Sequence, residues 1–295
     1  MGFYFTPKEI SNVARYKGGQ TVDNSPLYKY FFSPACAKLV SITPTWVAPN
    51  VLTLGGLVCN IASYALGLYY MPNLGTYTEP PQWVFFMMGL LILIYIFLDN
   101  MDGKQAFRTG SSSPMGELLD HGCDSLTIAI YCLGSASAIQ GGLWDAVIFV
   151  TTGFIAFYLA HWQEYFNHYL DLGYLGPTEA ECFVILLYWI TWIMGPAFWV
   201  TPVTLFGITL PPNKIILYLA LALSAFPPII SFFTGLQLAN KNGIKTTTAM
   251  SQLIPFTVSY VSYSLMIIFS PELYEAHPHM VLLTANLLFS YLTIN

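Results

Sequence analysis

The chain has 295 residues, of which 55 % are hydrophobic and only 8 % charged, with ten Lys or Arg against fifteen Asp or Glu. A soluble domain averages about 25 % charged residues, so this composition and a mean hydropathy of +0.58 exclude a soluble globular protein and imply an integral membrane one. The formal charge of −5 gives no support to a nucleic-acid partner, and Cys36, Cys59, Cys123, Cys132 and Cys182 form no C-x-x-C pair, so neither a disulfide framework nor a zinc site is expected.

Residues 1–45 hold half of all basic residues, namely Lys8, Arg15, Lys17, Lys29 and Lys38, interleaved with Leu27, Tyr28, Tyr30, Phe31, Phe32 and Leu39. No short apolar core of a cleavable signal peptide opens the chain. The mixture predicts an interfacial amphipathic helix on the cytosolic leaflet, with a solvated tail as the alternative. Residues 46–295 read as one transmembrane domain. Apolar segments follow at 47–70, 82–98, 115–138, 143–161, 179–200, 215–236, 249–270 and 280–294. Most reach the roughly 20 residues that span a bilayer. The expected fold class is therefore all-α, a polytopic helical bundle of about eight spans. With a cytosolic amino terminus, the stretches 99–114, 162–178 and 237–248 are cytosolic. Nine of the ten basic residues then share that side, and Lys214 alone lies opposite.

Four aspartates gather where the second apolar segment ends and the third begins: Asp99 and Asp102, then Asp120 and Asp124. On helices these pairs are spaced i,i+3 and i,i+4, so each shares one face. Helix-end capping accounts for one such residue, not four. Carboxylates this close raise one another's pKa unless neutralised. Hard divalent cations prefer oxygen ligands and bridge carboxylates to phosphates. The intervening Thr109–Pro114 is turn-rich, with Ser113 as N-cap and Pro114 as first residue of the next helix. The pattern predicts a metal-dependent site at the membrane that acts on a phosphorylated substrate.

Asp99, Asp102, Gly103, Ala106, Gly116, Asp120 and Asp124 fall at the spacings of D-x2-D-G-x2-A-R-x8-G-x3-D-x3-D. This resembles the signature of the CDP-alcohol phosphotransferases. Gly103-Lys104-Gln105-Ala106, Ser112-Ser113-Pro114 and Asp120-His121-Gly122-Cys123-Asp124 resemble its eukaryotic choline/ethanolamine branch. Phe107 departs, standing where the signature has arginine, with Arg108 following. The resemblance implies Asp99, Asp102 and Asp120 as metal ligands, Asp124 as ligand or general base, and Mg²⁺ or Mn²⁺ as cofactor, as two ions. It implies transfer of phosphocholine or phosphoethanolamine from CDP-choline or CDP-ethanolamine to diacylglycerol, with release of CMP. The expected setting is the endoplasmic reticulum or Golgi, with the site facing the cytosol. Membrane lipid and a second copy of the chain complete the expected partners. Further carboxy-terminal helices are expected beyond Asn295.

His121, whose ordinary pKa lies near neutrality, is the rival candidate for the base, with Glu117 one turn earlier to orient it. Gly103, Ala106 and Gly116 are candidates to leave room for a nucleotide, close helix packing being the competing account. Asn50 in Ala48-Pro49-Asn50-Val51 is a candidate for phosphate or cytosine, or simply a polar first-turn residue. Arg108 completes the substrate candidates, although one residue rotates a side chain about 100° from position 107. Glu164, Glu179, Trp162 and Tyr165 are weaker candidates for the alcohol's cation. The alternatives are another alcohol such as inositol, a cation transporter and a silent lipid-binding relative.

Overall fold

The structure, a computed structural model, describes residues 20–74, 79–205 and 207–294, so Lys8, Arg15 and Lys17 of the expected interfacial segment lie outside the described residues. Strand β1 (Thr21–Asp23) leads into a π-helical turn, Tyr28–Phe32, and helix α1 (Ser33–Ile42). Helices α2 (Pro49–Tyr70), α3 (Gln82–Thr109), α4 (Pro114–Ala138) and α5 (Leu143–Asn167) follow, and β2 (Leu170–Gly173) then pairs in parallel with β1. After α6 (Pro177–Met194), a short hairpin of β3 (Val203–Leu205) and β4 (Ile208–Leu210) leads to α7 (Pro212–Ser224) and α8 (Phe226–Lys241). Helices α9 (Thr246–Ser251), α10 (Ile254–Phe269), α11 (Pro271–Ala276) and α12 (Pro278–Ile294) end the chain.

Each of the eight apolar segments is helical. Five stretches are long and apolar enough to cross a membrane: Pro49–Tyr70, Gln82–Thr109, Leu143–Asn167, Pro212–Lys241 and Thr246–Phe269. The count of eight spans is thus reduced to five by this measure. Helix α4 falls short in apolarity because Glu117, Asp120 and Asp124 occupy its first half. Helix α6 carries Glu179 and Glu181, and α12 has only 17 residues. The five long apolar helices make the chain a polytopic helical membrane protein, and α6 and α12 add exposed apolar side chains such as Leu186, Ile193, Leu287 and Leu288. Another difference concerns the 99–114 loop. Helix α3 runs 28 residues, through both its aspartates to Thr109, leaving only Gly110–Ser113 as the turn.

Helix α3 packs against α2 and α6, and α4 against α2, α5 and α12. Val84, Phe85, Met88, Ile92 and Ile96 of α3 are fully buried in one cluster with Tyr188 of α6. Helices α5 and α8 meet closely, since a Cβ added at Gly235 would lie 2.5 Å from the Trp162 ring. At the end of α4 remote from its aspartates, Lys214 Nζ reaches both carboxylate oxygens of buried Asp145 at 2.7 and 2.8 Å. Helix α1 buries Cys36 and Val40 against Met101 and Phe97 of α3, while Tyr30, Phe31, Ile42 and Trp46 beside and along it are exposed.

Candidate active site

The turn between α3 and α4 is built by local chemistry. Gly110 takes φ +66°, the left-handed conformation that ends a helix at little cost for glycine. The N–H groups of Gly110 and Ser111 return to the carbonyls of Phe107 and Ala106 at 3.2 and 3.0 Å. The Ser113 hydroxyl oxygen then accepts from the Gly116 N–H at 3.1 Å, and Pro114 opens α4, as the sequence predicts.

So short a turn returns the chain, and both helices pack along α2 rather than along each other, so their aspartates converge across the space between them. Carboxylate oxygens of Asp99, Asp120 and Asp124 all lie within 4.8 Å of one another. Asp102 is buried next to them: its Oδ2 accepts from the Thr53 hydroxyl and its Oδ1 from the Gly103 N–H, both at 2.5 Å. The Tyr95 hydroxyl donates to Asp124 Oδ1 at 2.8 Å. Behind that pair, the Asn60 amide donates to the Tyr131 hydroxyl at 3.1 Å, which donates to Glu181 at 3.2 Å. Among the described residues the one ion pair is Lys214–Asp145, so no lysine or arginine pairs with the four motif carboxylates. An all-oxygen, like-charged donor set without a partner cation from the chain suits a hard divalent ion.

The flanking candidates separate. A Cβ at Gly103 would meet nothing within 4 Å, so helix packing does not explain that glycine and its backbone faces open space. Gly116 lies against Asn50, its added Cβ 3.6 Å from Asn50 Oδ1. Half-buried Ala106 lies one turn after Asp102 on α3, and Phe107, four residues on from Gly103, is 86 % exposed. Arg108 does not belong with these. Its guanidinium donates to the carbonyls of Val40 and Thr43, binding the end of α1, where Gln105 also reaches Pro44 and Val47 at 3.0 and 3.1 Å. The helical rotation that separates positions 107 and 108 directs Arg108 to the chain rather than to a substrate. A cavity of about 240 Å³ against the first turns of α4, the helix that carries Asp120 and Asp124, is lined by Pro114, Glu117, Leu118, His121, His161, Thr293 and Ile294, so Glu117 and His121 do share one face.

Of the weaker candidates for the cation, Trp162 is buried and its indole N–H donates to Ala249 at 3.3 Å, a packing role. Glu179 accepts the Leu27 N–H at 2.9 Å and tethers the amino-terminal segment. Tyr165 is exposed, and Glu164 lies with His121 and His161. Lys104 stands over the Tyr28 ring, its Nζ 3.0 Å from the hydroxyl. Burial raises the pKa of nearby Asp23 from its ordinary value, against hydrogen bonds from Ser25 that lower it. Sequence reasoning missed Thr53, Tyr95, Asn60, Tyr131 and Glu181. Tyr95 had a signal, being one turn before Asp99 on the same face; Glu181 had none.

Fold and site together define a polytopic helical membrane protein with a carboxylate cluster, fit for a divalent cation, built from two successive helices. The CDP-alcohol phosphatidyltransferase family matches residues 46–226. The chain belongs to that family and is a phosphotransferase; such enzymes are in general divalent-metal dependent. It is 34 % identical over 98 % of its length to an uncharacterised class-I family protein 2 of Dictyostelium discoideum, covering 68 % of that protein. It is also 34 % identical to choline/ethanolaminephosphotransferase 1 of Arabidopsis thaliana, over 98 % of this chain and 76 % of the relative. With cholinephosphotransferase 1 of Danio rerio the identity is 35 %, over 86 % of this chain and 68 % of the relative.

Proposed function

We propose that the chain transfers phosphocholine or phosphoethanolamine from the CDP-alcohol to diacylglycerol, releasing CMP. The observation that carries this is the convergence of Asp99, Asp120 and Asp124 within 4.8 Å, with a cavity that Glu117 and His121 line against the first turns of α4. Asp99, Asp102, Asp120 and Asp124 hold Mg²⁺ or Mn²⁺, as two ions. The metal, when bound, neutralises charge on the pyrophosphate and on the leaving phosphate. Thr53 and Gly103 hold Asp102 in one orientation, and Tyr95 does the same for Asp124. The open backbone at Gly103, with Ala106, Gly116 and Asn50, forms the approach for the nucleotide.

The diacylglycerol hydroxyl enters through the cavity, whose Leu118 and Ile294 give it an apolar wall toward the bilayer. A ring nitrogen of His121 takes the hydroxyl proton as oxygen attacks the β-phosphorus, and the β-phosphorus–oxygen bond to CMP breaks. Glu117 orients the imidazole. Asp124 is the less suited base, since one of its oxygens already accepts from Tyr95. The site faces the cytosol of an internal membrane, the endoplasmic reticulum or Golgi. Supporting this, Lys104, Arg108, Lys241 and Lys245 lie at the aspartate side and Lys214 at the other. Residues 1–45 form the interfacial segment and 46–295 the catalytic domain, in keeping with the outward-facing Tyr30, Phe31, Ile42 and Trp46.

The test is conversion of labelled CDP-choline and CDP-ethanolamine by the purified chain with diacylglycerol and Mg²⁺. Labelled phospholipid and CMP are expected, with none in EDTA and none from Asp102→Asn, which keeps size but removes charge. Full activity in EDTA, or folded protein that converts neither donor, overturns the reading.

A further inference from the structure

A second cluster of metal-ligating groups lies outside the four aspartates. Ligand atoms of His121 on α4 and of His161 and Glu164 on α5 all fall within 4.8 Å of one another. Its chemistry differs from that of the aspartates. Two imidazoles and a carboxylate are the donor set of three-ligand zinc sites that keep a further position open, whereas magnesium takes oxygen alone.

His161 is held as a ligand would be. A carbonyl only accepts, so the 3.0 Å contact between His161 Nδ1 and the Phe157 carbonyl fixes the proton on Nδ1. Nε2 is thereby left with its lone pair, and this buried atom has no hydrogen-bond partner. A backbone carbonyl on the second nitrogen is the usual way in which a protein orients a metal-binding histidine. The Phe157 ring stacks on the imidazole at 4.2 Å between centroids and fixes its plane. The His121 ring stands edge-on to it, 4.9 Å away and at 84°. The cavity of about 240 Å³ that both histidines line gives access and room for a further ligand.

We infer that His121, His161 and Glu164 form a binding site for a borderline-soft divalent cation, zinc above all, distinct from the magnesium site of the aspartates. Bound there, the ion takes the lone pair of His121. On the reading of His121 as proton acceptor, it therefore shuts off transfer, so the site is inhibitory. No spacing motif marks the site in the sequence, because its three ligands come from two helices and no cysteine takes part.

The probe is Co²⁺, added to the purified full chain in detergent with Mg²⁺ saturating, followed by its visible ligand-field absorption. The expected result is one Co²⁺ per chain with a visible band, displaced by Zn²⁺. The Mg²⁺-supported rate should fall as Zn²⁺ binds. His161→Gln should weaken Co²⁺ binding by more than about a hundredfold, the upper range for loss of an outer-shell partner alone. Its remaining rate, whatever its level, should no longer respond to Zn²⁺. Glu164→Gln serves as the second variant if His161→Gln does not fold, with thermal unfolding as the check on both. No band, or one unchanged in the folded variant, overturns the site. A His161-dependent band with turnover indifferent to Zn²⁺ confirms the site and overturns the assignment of His121 as base.

Discussion

Tyr95→Phe isolates one hydrogen bond of the site. The tyrosine is 3 % exposed, its ring lies against α2 where a Cβ at Gly56 would come within 3.0 Å, and it meets Tyr131 edge-on at 5.8 Å. Phenylalanine keeps all of that packing and removes only the hydroxyl, which donates to Asp124 Oδ1 at 2.8 Å. Hydrogen bonds to charged groups contribute about 1.5–3 kcal/mol. Without this one, Asp124 loses the donor that orients it toward the other carboxylates. The concentration of Mg²⁺ giving half-maximal transfer should rise roughly ten- to a hundredfold, while the thermal unfolding temperature in detergent stays near that of the parent. The assay is product formation from labelled CDP-alcohol across a Mg²⁺ titration. If both the half-maximal Mg²⁺ concentration and the turnover are unchanged, Asp124 is not positioned by Tyr95 and takes no part in holding the ion.

His121→Gln should lower kcat more than it raises KM for the CDP-alcohol; a change in KM alone, with the pH–rate profile in place, transfers the role of base to Asp124. Phe107→Arg should lower KM for the CDP-alcohol by about tenfold, the low end for a charged hydrogen bond because the position is 86 % exposed. An unchanged KM shows that position 107 does not reach the pyrophosphate. Gly235→Ala should destabilise the α5–α8 contact by about 1–3 kcal/mol, the range for overpacking, since the new Cβ would lie 2.5 Å from the Trp162 ring. A thermal unfolding temperature equal to that of the parent would show that the two helices part without cost.

The sequence by itself determined the class, the helices and the four aspartates. Composition and apolar runs are properties of the chain that no packing changes, and a bilayer admits such runs as helices. The spacing of Asp99, Asp102, Asp120 and Asp124 carries its own geometry, because a helix face repeats at three and four residues. Ser113 and Pro114 were legible for the same reason, as capping is local chemistry. The extent of α3 was not legible: polar residues after Asp99 resemble a loop, and only the α1 segment, held by Gln105 and Arg108, shows why the helix continues. Tertiary structure alone decided that Arg108 serves the fold, that Thr53 and Tyr95 hold the aspartates, and that Asn60, Tyr131 and Glu181 stand behind them. It alone brought His161 and Glu164 to His121 across two helices. A single sequence carries no term for the rotation of one helix about its axis relative to another, and that rotation sets which side chains meet.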